Sequence, residues 1–283
     1  MTSTHPILAA FDGHAFSALR LAQQFSRLLE QPVHVATAYR DDPVAVTSSP
    51  EAGWASDQAR AVAERRMERA VSWGPDAQAP QHSVIAAERI ADGLLDLAAE
   101  LGAAVMVLGP DQRGDVTREV LRRATCPVAV GPAEALLVAE RPRVVGVAFD
   151  GSSAGRLALL AAGRLADRAG ARFEAVVVAD DDRAADDMAH TAELTAESEV
   201  LTPHVVRRHG EPGAELRRAC EALDLLVCGA HGRWPFLERD IGNVVTQLIE
   251  DPVCPMLIVP EHAQPDRTAA LGLACAGDPQ AAG

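Results

Sequence analysis

Aromatic residues are scarce, with six Phe, three Trp and one Tyr among 283 residues. A core built on stacked rings is thereby excluded, and packing falls to Ala, Val and Leu, the pattern of helices lying close on a parallel sheet. No apolar run reaches the ~20 residues that cross a bilayer. The start Met1-Thr2-Ser3-Thr4-His5 lacks the basic and apolar regions of a signal peptide, so a cytoplasmic protein is expected. Positive charge is also in deficit: 26 basic against 40 acidic residues give a formal net charge of −14. Such a chain has no long-range attraction for nucleic acid or an anionic membrane, and neither is expected as a partner. Cysteine is sparse and unpatterned. Cys126, Cys220, Cys228, Cys254 and Cys275 form no CxxC and are odd in number, which excludes a disulfide framework and reads as reduced, buried, small apolar residues.

What is present is a length suited to two domains and a text written twice. Pro6-Ile-Leu-Ala-Ala-Phe-Asp12-Gly13 is repeated as Val144-Val-Gly-Val-Ala-Phe-Asp150-Gly151, at an offset of 138. Each copy is an apolar strand feeding a helix, with Ala15, Leu19, Ala22, Phe25 and Leu29 in the first and Ala154, Leu157, Ala161, Leu165 and Ala169 in the second at helical spacing. Second strands follow from Val33 and Phe173. Polar, Ala-rich helices come next, over 56–71 and 183–198. Third strands begin at His82 and His204, then helices over 90–101 and 214–223. Apolar strands end in Gly109 and Gly229, and a last helix and a Cys-Pro strand from Cys126 or Cys254 close each half. From Gly114 to Cys126 is 12 positions, as it is from Gly242 to Cys254. From Asp12 to Gly109 is 97 positions against 79 from Asp150 to Gly229, the excess falling largely in the Asp-, Pro- and Ser-rich loop 40–55.

Strands alternating with helices predict an α/β protein: two tandem five-stranded parallel sheets with helices on both faces, Rossmann-like. The domains expected are 1–135 and 141–262, with 263–283, poor in apolar periodicity, read as a disordered tail.

The chemistry concentrates at Gly229-Ala230-His231-Gly232, with Gly242-Asn243 following. Spaced glycines between a strand and a helix offer backbone N–H groups to a phosphate. Asp150, at the end of its strand, faces the crevice where doubly wound sheets bind ligands. The first half differs: only four residues separate Gly109 and Gly114, too few for such a cradle. Asp115-Val116 then stands where a P-loop needs Lys and Ser/Thr.

The second half resembles a universal stress protein domain, in Val147-Ala-Phe-Asp150-Gly151-Ser152, His209-Gly210-Glu211-Pro212, Gly229-x2-Gly232-x9-Gly242 and Cys254-Pro-Met-Leu-Ile-Val259. The resemblance covers 141–260 and, more weakly, 5–131, so the chain resembles a tandem member. It implies a regulatory adenine-nucleotide site in the C-terminal half that holds ATP, with or without Mg²⁺, at Asp150, Gly151, Val178, Gly229, His231, Gly232, Arg233, Gly242, Asn243 and Val244. Asn243 departs from the family's Ser or Thr, and the loop 233–241 is bulky and acidic, with Glu238 and Asp240 opposed by Arg233 and Arg239. The resemblance also implies that the two halves pair through their closing strands, and it brings in a homodimer.

Bland readings stand beside these. Asp12 and Asp150 are ordinary helix caps, the glycines are turn residues, His231 is a solvent-facing loop residue and Asp180–Asp187 is a solvated charge run. No metal-ligand spacing appears. Three functions follow: an ATP-binding regulator, a nucleotide-independent scaffold using Trp234 and Phe236, or an enzyme. Against the last, there is neither a Walker lysine nor a G-x-G-x-x-G turn, which leaves at most a slow ATPase built on Asp150 and His231.

Overall fold

The computed structural model describes residues 5–41, 50–73, 80–110, 115–135, 138–231 and 241–261. The N-terminal half runs β1 (Ile7–Ala10), α1 (Phe16–Leu29), β2 (Val33–Arg40), α2 (Pro50–Trp73), β3 (Gln81–Ala87), α3 (Ile90–Glu100), β4 (Val105–Leu108), α4 (Asp115–Arg123) and β5 (Val128–Val130). The C-terminal half repeats the order: β6 (Val144–Ala148), α5 (Ser153–Ala169), β7 (Arg172–Ala179), α6 (Asp182–Glu197), β8 (His204–His209), α7 (Pro212–Cys220), β9 (Leu225–Gly229), α8 (Asn243–Glu250) and β10 (Met256–Val259).

The strands of each half are parallel, as the alternation of strand and helix predicts, yet they do not stay apart. One ten-stranded sheet runs β3-β2-β1-β4-β5-β10-β9-β6-β7-β8, with an antiparallel junction between β5 and β10. Its register carries information. Ala129 and Leu257, each three residues beyond its half's Cys-Pro cysteine, pair with each other, flanked by Val128 with Ile258 and Val130 with Met256. Equivalent residues pair about a local two-fold axis, the geometry of an isologous dimer interface closed within one chain.

The sheet is covered on both faces, so its central strands read as unbroken apolar runs: β4, β5 and β10 are buried at every position. Helices α1, α2, α5 and α6 pack on one face around Phe25, Leu159 and Leu165, and α3, α4, α7 and α8 on the other around Met106, Leu226 and Met256. The outer strands β3 and β8 alternate exposed and part-buried residues and carry Gln81, His82, Arg207 and Arg208, which blunts the edges against further pairing. Helix α2 begins at Pro50 rather than at Ser56; Pro fits a first helical turn, where no N–H partner is needed. Residues 42–49, 232–240 and 262–283, and with them most of the excess loop, the glycine-loop segment and the tail, lie outside the described residues.

Candidate functional site

In each half the strand order reverses between its first and fourth strands, β1 and β4 or β6 and β9, and a doubly wound sheet opens its ligand crevice at that point, beyond the strands' C-terminal ends. In the C-terminal half the crevice is a cavity of about 990 Å³, at the upper end of the volumes that hold small molecules. Seven of the residues picked from the sequence line it: Asp150, Val178, Gly229, His231, Gly242, Asn243 and Val244. Gly151 is outside the lining; its φ of +79° turns the chain from β6 into α5, a conformation that favours glycine. Gly232 and Arg233 lie outside the described residues.

Each lining group has a local cause. Asp150 Oδ1 accepts from the Ser152 N–H at 3.0 Å and the Ser152 hydroxyl at 2.6 Å, while Ser152 Oγ accepts from the Gly155 N–H at 3.0 Å and caps α5. Gly155 is part of this arrangement, because a Cβ there would stand 2.5 Å from Asp150 Oδ1. On the β7 flank, Val178, Ala179 and the α6 residues Ala184 and Met188 give an apolar wall.

The β9 flank is polar. Helix α8 begins at Gly242 with no side-chain cap, whereas Ser152, Asp181 and Glu211 cap α5, α6 and α7. Uncapped first-turn N–H groups and the helix dipole favour an anion. His231 Nδ1 is buried without a hydrogen-bond partner, a costly state for a buried polar atom that a ligand can relieve.

Gly229 has a packing reason beside the one its motif implies. A Cβ on it would sit 2.6 Å from the carbonyl carbon of Ala154, so β9 and α5 meet there only through a bare Cα. In the N-terminal half a Cβ on Gly109 would stand 2.1 Å from the Cβ of Ala15. The same glycine serves the same packing on both sides.

Sequence reading missed other lining residues: Gly155, Met188, Asp180 and, from the opposite half, Arg118 and Arg122 on α4. Asp180 follows directly on β7 and was visible only as part of a charge run. That run is largely engaged, with Asp181 capping α6, Asp182 paired to His209 and Asp186 to Arg207. Among the described residues no group of three His, Cys, Asp or Glu side chains is placed to hold a metal ion, and no helix is long and apolar enough to cross a membrane. Cys126, Cys220, Cys228 and Cys254 are buried thiols outside any disulfide; desolvation pushes the Cys228 thiol up, away from thiolate reactivity.

The N-terminal crevice is furnished otherwise. Asp12 Oδ1 accepts from the His14 and Ala15 N–H groups at 2.8 and 2.9 Å, a local turn just ahead of α1. Arg66 of α2 covers the turn so closely that a Cβ on Gly13 would lie 2.8 Å from its Cγ. Phe16 packs against Phe11 and Trp73, at ring centroids 5.2 and 5.7 Å away, with the Arg69 guanidinium 5.5 Å over its ring.

A doubly wound parallel sheet with a ligand-sized cavity at its switch point defines the fold class, an α/β protein of the kind that opens a crevice there. The family model of the universal stress protein family matches residues 3–132 and again 142–260, and the chain belongs to that family. Solved structures that match nearly the whole chain include two universal stress proteins. A universal stress protein from Pseudomonas aeruginosa is 15% identical, covers 95% of this chain and 96% of its own, and has a TM-score of 0.62. One from Archaeoglobus fulgidus is 14% identical over 90% and 96%, with a TM-score of 0.59. A shorter Archaeoglobus fulgidus universal stress protein, solved in complex with dAMP, is 22% identical over 46% of this chain and 99% of its own, with a TM-score of 0.32. The two full-length likenesses speak to the fold. No curated protein matches the chain.

Proposed function

We propose that this universal stress protein is a cytoplasmic regulator that binds an adenine nucleotide, ATP, at one site in its C-terminal half. The observation that carries the reading is the C-terminal cavity, where an apolar β7 flank lies across from an uncapped helix start and the unpartnered His231 Nδ1. A purine suits the wall formed by Val178 and Met188. Asp150, whose Oδ1 is already engaged, offers its remaining acceptor capacity to a ribose hydroxyl or an amino group. Gly242, Asn243 and Val244 bring first-turn N–H groups to phosphate, and the Asn243 amide adds a donor where a hydroxyl is usual. Occupancy of this site is what a partner would sense.

Calorimetric titration of ATP into the full chain tests this. The expectation is saturable binding by the wild type that Val178→Trp abolishes, with thermal unfolding unchanged enough to show that the variant folds. Absence of heat and of thermal stabilisation at millimolar ATP overturns the reading.

The alternative, a scaffold independent of nucleotide, is favoured by two observations: the packing on Ala154 accounts for Gly229 with no ligand, and Asp150 is already at work in the cap of α5. Under that reading the wild type fails the same titration.

A further inference from the structure

All 26 basic residues of this chain are arginine; it has no lysine. Among the described residues four charged side chains line the C-terminal cavity, and they divide by origin. Both carboxylates, Asp150 and Asp180, belong to the C-terminal half, and both cations, Arg118 and Arg122, come from α4 of the N-terminal half.

The two-fold at the β5–β10 junction explains how they arrive. Helices α4 and α8 immediately precede the paired strands and so lie beside the axis. Arg118 stands eight residues before Cys126, as Thr246 stands eight before Cys254, and Arg122 and Glu250 each stand four before. Arg118 forms an ion pair with Glu250 across the junction. The two-fold counterpart of that pair is Arg122 with Thr246, and both of these line the cavity. Thr246 lies in the first turn of α8, whose Gly242 carbonyl accepts from its backbone N–H and its hydroxyl, so the symmetry carries Arg122 to the helix start that favours an anion. Arg118 Nε is buried and lacks a hydrogen-bond partner, and its side chain is 31% exposed. A planar guanidinium on a rigid helix suits a phosphate oxygen pair, as a flexible ammonium does not.

The geometry points to a site completed by the other half: Arg118 and Arg122 are specificity-determining residues that bind the outer phosphates of a nucleoside polyphosphate, and the N-terminal half, rather than the C-terminal one, sets the preference for ATP over AMP. This rests on the nucleotide reading above. With two carboxylates in the described lining and a net charge of −14 on the chain, a triphosphate gains from these two cations what the described C-terminal residues alone do not supply.

Titrations of ATP and AMP into the full chain test it, using the wild type, Arg118→Ala, Arg122→Ala and Arg123→Ala. Arg123 sits on the same helix but pairs with Asp92 and Glu119 and is absent from the cavity lining. Each of the first two variants is expected to weaken ATP by about tenfold, the scale of a charge-assisted hydrogen bond, while AMP changes less than about twofold and Arg123→Ala changes neither. Thermal unfolding of each variant separates this loss from misfolding. If ATP holds its affinity in Arg118→Ala and Arg122→Ala, if AMP falls in step with ATP, or if Arg123→Ala does the same, this inference is overturned while the nucleotide reading stands. A wild type that binds neither nucleotide overturns both.

Discussion

The two crevices of this sheet began from one text and ended with opposite contents. The C-terminal one keeps Ala154 at the start of α5, has nothing within 4 Å of where a Gly151 Cβ would be, and opens into the cavity. In the N-terminal one Phe16 stands next to the same helix start, Arg66 covers the Gly13 turn and Trp73 closes on Phe16. A long α2, absent in this form from the C-terminal half, supplies the covering side chains. The difference teaches that a duplicated fold can fill one crevice with its own packing and leave the other open, with a helix of the filled half lining it.

The comparison can be broken most forcefully at the glycines shared by both halves. If packing fixes them, Gly109→Ala and Gly229→Ala each force a Cβ into the first turn of a core helix and lose about 1–3 kcal/mol, the usual scale of overpacking, read as matched falls in chemical unfolding midpoint. A Gly229→Ala protein of normal stability that fails only in ligand binding would restore a phosphate-cradle role for that residue and break the equivalence.

A smaller effect sharpens it. Burial holds the His34 imidazole of β2 below its ordinary protonation range, so the unfolded chain binds the proton more readily than the folded one. His34 therefore costs stability as the pH falls below the ordinary imidazole range and contributes no such cost above it. His34→Gln should flatten the fall of stability over that interval, and an unchanged slope would assign the pH dependence elsewhere. The residue next to Phe173, where β7 aligns with β2, is Glu174, an ion-pair partner of Arg172, so this titration belongs to the N-terminal half alone.

The sequence was most legible where local periodicity decides. The repeated Phe-Asp-Gly turns, the apolar β4 and β9 and the Cys-Pro strands placed every strand to within a few residues, because buried parallel strands leave unbroken apolar runs. It was least legible where the cause is distant. Gly229 read as a phosphate-loop signal because nothing near it in the chain names Ala154 as what it touches. The ten-stranded continuity and the arrival of Arg118 and Arg122 at the cavity depend on a pairing of strands that lie 128 residues apart at Ala129 and Leu257. No spacing within either half encodes it. Likewise Phe16 looks like one more apolar helix residue until α2 is folded onto it.

The stoichiometry of ATP binding to the intact chain tests the asymmetry most directly. Calorimetry is expected to give one nucleotide per chain, with the Asp12 side left empty and the Asp150 side occupied. Two equivalents, or one that survives Val178→Trp, would contradict it.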